Sequence, residues 1–97
     1  MTQEPAVRCD VVFEGRVQGV GFRHATNVVA TRYYVSGYVA NKRDGTVHMV
    51  AEGAREDVSR MIQEILRTMA GCATSHRATW SEAMGEFPDF RVRRDEP

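Results

Sequence analysis

The chain has 97 residues, 42% hydrophobic and 27% charged, the size and balance of one globular domain with a single modest core. Its 13 Lys plus Arg offset its 13 Asp plus Glu, and a formal net charge of zero excludes the strongly basic class of nucleic-acid binder. No apolar run approaches the ~20 residues of a membrane helix, and the polar start Met1–Pro5 has neither the basic opening nor the apolar stretch of a secretory leader, so the chain reads as cytosolic.

Residues 7–14 read as a half-buried strand, with Val7, Cys9, Val11 and Phe13 alternating with Arg8, Asp10 and Glu14. A glycine-rich loop, GRVQGVG, follows at 15–21. Helical spacing of Phe22, Ala25, Val28, Val29 and Tyr33 predicts a helix over 22–33, one whose β-branched residues make it depend on packing. Two strands at 35–41 and 46–52 flank Lys42–Gly45, and the Asp44–Gly45 pair between them signals a hairpin. A second helix is predicted over 54–70. Val58, Met61, Ile62, Ile65, Leu66 and Met69 form its apolar face, Glu56 and Asp57 sit in its first turn, Arg67 in its last, and Gly71 follows as a stop. A strand containing Trp80 is expected over 76–83, and Phe90 with Val92 suggests a short final strand.

The order is βαββαβ plus a short extra strand, a ferredoxin-like α+β arrangement over residues 1–97 with a core at about 8–94. It predicts a mixed or antiparallel sheet with both helices on one face and the other face solvated. The first and third strands are expected at the centre, parallel to each other through crossovers. Cys9 reads as a small core hydrophobe, and both it and Cys72 as free thiols; the alternative is a Cys9–Cys72 disulfide. Met61, Met69 and Trp80 read as core. His24, His48, His76, Arg16 and the Arg91–Arg93–Arg94 group read as solvated.

The segment with chemical content is Gly15–Arg23, GRVQGVGFR, which joins a strand end to a helix start. The first N–H groups of a helix have no intrahelical partner, and glycines let further N–H groups converge, so such a loop can cradle a phosphate. Arg23 opens the helix, where its forked guanidinium can reach the same anion. The spacing matches neither a dinucleotide fingerprint nor a Walker loop, and on pattern alone a plain tight turn competes with the cradle.

GRVQGVGFR, followed by SGYVANKRDGTV at 36–47, closely resembles the acylphosphatase family, and the likeness runs from about Cys9 to Val92, including the FRVR ending. Tyr38 stands where the family usually has Trp, Ala40 where it often has Arg, and GCATSHRATW lacks the usual proline-rich turn. The resemblance implies a ferredoxin-like fold and hydrolysis of acyl phosphates to a carboxylate and inorganic phosphate. It implies Arg23 and Asn41 as catalytic residues, with the amides of Gln18, Gly19, Val20, Gly21 and Phe22 binding the phosphate.

These residue types suit that reaction. The carboxylate leaving group needs little proton chemistry, so holding the phosphoryl group, offsetting its charge and aiming a water suffice. An asparagine amide offers a donor and an acceptor to a water. No metal, cofactor, nucleic acid or membrane is expected, and the chain reads as a monomer acting on a small acyl phosphate. Carbamoyl phosphate and protein aspartyl phosphates remain open as substrates. Two rivals stand beside the enzyme. An RNA-binding module on this fold would need exposed aromatics on its central strands, which TVHMVAE lacks. A non-catalytic anion-binding or regulatory domain would keep the cradle and dispense with Asn41.

Overall fold

The computed structural model describes residues 5–97, so most of the Met1–Pro5 stretch lies outside the described residues. The elements follow as β1 (Val7–Gly15), α1 (Phe22–Ala30), β2 (Val35–Asn41), β3 (Val47–Gly53), α2 (Arg55–Thr68), β4 (Ala73–Glu82) and β5 (Phe90–Val92). They build one five-stranded sheet in the order β4-β1-β3-β2-β5.

β1 and β3 are neighbours at the centre of the sheet, but they are antiparallel, not parallel as the sequence order suggested, with Val11 opposite Met49. The β2–β3 hairpin reverses the chain, and β3 returns between β1 and β2, so it opposes both. β4 also runs antiparallel to β1, and β5 alone pairs in parallel, along β2.

Alternation on the strands sends Cys9, Val11, Phe13, Val39, Val47, Met49 and Ala51 to one face, where they meet the apolar sides of both helices. Val58, Met61, Ile62 and Ile65 are buried on α2 as its periodicity predicted, with Leu66 and Met69 partly buried at the edge of the core. Both cysteines are free, and Cys9 is fully buried. Burial pushes the Cys9 thiol up to about 11.

α1 differs from the predicted helix. It stops at Ala30, and the N–H groups of Thr31, Arg32 and Tyr33 donate to carbonyls three residues back, tightening the end of the helix into a turn. Its buried face is Phe22, Thr26, Val29 and Ala30, while Val28 is 41% exposed and Ala25 only half-buried. Thr26 took a position that periodicity assigned to apolar neighbours, and its buried hydroxyl has no hydrogen-bond partner.

The second sheet face is not solvated at its centre. Tyr38, Ala40 and Val50 pack there beneath Phe87. The segment 83–89 is strapped across them by the buried Glu52 carboxylate, which accepts the N–H groups of Met84 and Gly85, each at 2.9 Å. Arg8 bonds Glu86 at 2.9 Å, with Glu52 3.9 Å away. The near-continuous burial of β2 and β3 reflects this covering of both faces. At the edge, β4 begins three residues earlier than predicted and is mostly exposed, and Trp80 is half-buried beneath the Arg55 guanidinium, 4.2 Å from its ring centroid.

Replacing Thr26 by Val removes an unpartnered buried hydroxyl at nearly constant shape. Thr26→Val should therefore stabilise the protein by about 1 kcal/mol in urea unfolding, with Thr26→Ala destabilising through the cavity it leaves.

Candidate active site

The loop between β1 and α1 is built around backbone donors. Gly19 and Gly21 have φ of 74° and 80°, left-handed values that a side chain would resist, and no atom lies within 4 Å of where a β-carbon would stand on either. Gly21 is the N-cap of α1, and no side chain caps the helix, nor does an acidic residue sit in its first turn. Along the described run from Val17 to His24, no backbone N–H donates to another protein group. Uncapped, unpaired donors beside the positive end of a helix dipole suit an anion.

Three contacts hold this loop. Val17 is buried to 1% exposure in the core, the Arg16 N–H donates to the Cys72 carbonyl at 2.8 Å, and Gln18 reaches across to the β2–β3 hairpin. The Gln18 side-chain amide donates to the carbonyls of Lys42 and Thr46, at 2.7 and 2.9 Å. That hairpin is a three-residue loop closed by Lys42 N–H to Thr46 O and by Gly45 at φ 94°; the Asp44 carboxylate accepts from the Thr46 hydroxyl and N–H. The two bonds from Thr46, the hydroxyl first, hold the Asp44 carboxyl below the usual carboxylate range.

A pocket of about 350 Å³ opens between these parts, lined by Val17, Gly19, Gly21, Phe22, Arg23, His24, Asn41 and Val92. Of the residues singled out in the sequence, it brings together Gly19, Gly21, Phe22, Arg23 and Asn41. Gln18 and Val20 do not line it: Gln18 is turned to the hairpin, and Val20 packs against the core. Phe22 contributes backbone, since its ring is buried against Phe13 at 4.9 Å between centroids. His24, read from the sequence as solvated, also lines the pocket.

Arg23 is one-third exposed. Its Nη1 donates to the Arg93 carbonyl at 3.0 Å and lies 3.6 Å from Asp95 Oδ1. One edge of the fork is thus tethered by the chain that follows β5, a link no local motif announces. Asn41 ends β2, its backbone paired with Val47, and among the described residues its side-chain amide has no protein partner. A charged fork, free backbone donors and an unengaged amide share one solvent-open pocket, which suits an anion and a water beside it. Among the described residues, no group of three or more His, Cys, Asp or Glu could hold a metal ion.

Residues 9–92 match the acylphosphatase family model. The chain is 41% identical to an acylphosphatase of Mycobacterium sp. (strain KMS), over 96% of this chain and 100% of that one. It also resembles the crystal structure of the acylphosphatase of Bacillus subtilis, with TM-score 0.83 and 26% identity, covering 90% of this chain and 98% of that one. The structure of an acylphosphatase from Coxiella burnetii matches with TM-score 0.76 and 31% identity, over 96% and 100% of the two chains.

Gln18→Ala removes the strut between loop and hairpin, while the Lys42 and Thr46 carbonyls keep the N–H groups of Gly45 and Lys42. It should cost about 0.5–1.5 kcal/mol in stability and speed amide exchange at Lys42 and Thr46 more than in the helices. Unchanged exchange at the hairpin would show that the strut carries no load.

Proposed function

The chain belongs to the acylphosphatase family and hydrolyses acyl phosphates, and we propose that it does so with Arg23 and the 18–22 backbone as phosphate cradle and Asn41 as the group that aims the attacking water. The observation that carries this reading is the pocket itself, where uncapped loop amides, one guanidinium and one free side-chain amide converge without a metal-binding cluster among the described residues.

In this mechanism the phosphoryl oxygens lie on the loop N–H groups and on the free edge of the Arg23 fork, where charge builds in the transition state. Asn41 holds a water in line with the scissile bond. The water oxygen forms a bond to phosphorus as the bond to the acyl oxygen breaks, and the carboxylate departs with that electron pair. The water proton passes to a phosphate oxygen, which gives inorganic phosphate. Neither Arg23 nor Asn41 acts as a base. On this reading residues 1–97 form one acylphosphatase-like domain that works as a cytosolic monomer on small acyl phosphates, without metal, cofactor or nucleic acid. In support, the family match spans most of the chain and no helix among the described residues is long and apolar enough to cross a membrane.

Hydrolysis of benzoyl phosphate by wild type, Arg23→Ala and Asn41→Ala, with folding checked by circular dichroism, tests the assignment. Arg23→Ala should lower kcat by about 10²–10³ and weaken inhibition by inorganic phosphate. Arg23→Lys should recover little, since a point charge replaces a fork. Asn41→Ala should lower kcat with phosphate inhibition unchanged; loss of phosphate inhibition would make Asn41 a ligand. Wild-type turnover should be nearly flat across mid-range pH and should survive excess chelator. A limb near the ordinary histidine value of about 6.5, abolished in His24→Gln, would replace the substrate-oxygen route with a histidine base.

A further inference from the structure

The short strand β5 leaves a gap in the sheet beside the catalytic end of β2. β5 pairs with β2 only as far as Val92 opposite Val39, so the outer side of Asn41 would be a bare edge. The chain after β5 fills that edge. Arg93 N–H donates to the Val39 carbonyl at 2.9 Å, and Glu96 N–H donates to the Asn41 carbonyl at 2.7 Å. The Glu96 carbonyl accepts from Arg43 N–H at 3.1 Å, and Glu96 bridges Lys42 in parallel register. One residue, Glu96, therefore brackets Asn41 and the turn after it.

Glu96 is held there by its side chain. Its Oε1 lies 2.6 Å from His48 Nδ1, on β3 directly opposite Ala40, and the other ring nitrogen of His48 faces Asp10 Oδ1 on β1 at 3.4 Å. Asp10 is held in turn by Arg8 at 3.0 Å. Burial pushes the Asp10 carboxyl up, but Arg8 first and His48 after it outweigh that and leave it below the usual range. Tyr38 meets the His48 ring edge-on, 5.7 Å between centroids, and carries Arg93 stacked on its own ring at 4.0 Å. Burial, with the Glu96 charge beside it, pushes the Tyr38 phenol above its usual value. His48 is thus half-buried and engaged, not solvated as its isolation in the sequence suggested, and Arg93 is stacked, not free.

We propose that Glu96 is a positioning residue for Asn41, fixing the end of β2 through its backbone while His48 anchors its carboxylate. The role rests on the reading of Asn41 as the residue that aims the water. Without the carboxylate anchor, residues 94–97 leave the sheet edge, the Asn41 backbone loses its outer bond, and the amide no longer points at one place. Phosphate binding is little altered: Val17 and the helix start hold the cradle away from this edge, and Arg23 keeps its 3.0 Å bond to the Arg93 carbonyl, itself fixed by Val39 and Tyr38, and loses only the longer, exposed 3.6 Å contact with Asp95.

The test is a double-mutant cycle with benzoyl phosphate as substrate and inorganic phosphate as inhibitor. Glu96→Ala should lower kcat by about 10-fold, with KM and the phosphate inhibition constant unchanged within about twofold on the same grounds. Added to Asn41→Ala, it should lower kcat no further. Glu96→Gln, which keeps a polar side chain of the same length facing His48, should restore most of the rate. An equal loss of kcat from Glu96→Ala in both backgrounds, or no loss in the wild-type background, would overturn the proposal. So would equally weakened phosphate inhibition, which would place the effect on the cradle. An Asn41→Ala variant with wild-type kcat would overturn the water-aiming role itself, and the positioning role with it.

Discussion

The unsatisfied backbone between Val17 and His24 is the constraint on which the rest of the site depends. Buried or half-buried N–H groups without acceptors are costly, and folded proteins keep few of them. Here the chain concentrates them in one loop, with left-handed Gly19 and Gly21 and no capping side chain on α1. The loop tolerates this because it is solvent-open on one side and anchored on the other, through Val17 in the core and Gln18 on the hairpin. On the proposed reading, phosphate in the pocket supplies the missing acceptors.

Topology then delivers everything else to the same place. The C-terminal ends of β1, β2 and β5, the start of α1 and the β2–β3 turn all meet at one end of the sheet. Residues far apart in sequence, Arg23, Asn41 and Val92, face one pocket because the antiparallel β3 lies between β1 and β2 and aligns their ends. The opposite face of the sheet provides rigidity. Glu52 ties down the 83–89 strap, the strap leads into β5, and the chain beyond β5 carries the carbonyl that meets Arg23. A buried carboxylate on β3 thereby bears on the orientation of a guanidinium on α1.

What was legible in the sequence divides along physical lines. β2 was readable to the residue, because Gly45 closes the turn after it, and the face of α2 was readable because six apolar residues keep its period. The direction of β1 against β3 is a topological fact that strand patterns do not encode, and it was misjudged. The face of α1 was misread because Thr26 fills a core position at the cost of a hydroxyl, while Val28 is apolar and outward. In the site, the loop and the two motif residues were legible as a pattern. The tether of Arg23 to Arg93 and the clasp of Glu96 by His48 were not, since they join segments 70 and 48 residues apart. Gln18 shows a further limit: its motif position suggested a backbone ligand, and its side chain proves to be the strut under the loop.

In the proposed mechanism the 18–22 backbone and Arg23 together receive the phosphate. Titration of inorganic phosphate into the uniformly ¹⁵N-labelled protein, followed by amide and arginine side-chain shifts, reads that claim atom by atom. Saturable shifts are expected at Gly19, Val20, Gly21, Phe22 and Arg23 and at the Arg23 guanidinium. A saturable response confined to other arginines, with the loop amides unmoved, would contradict it.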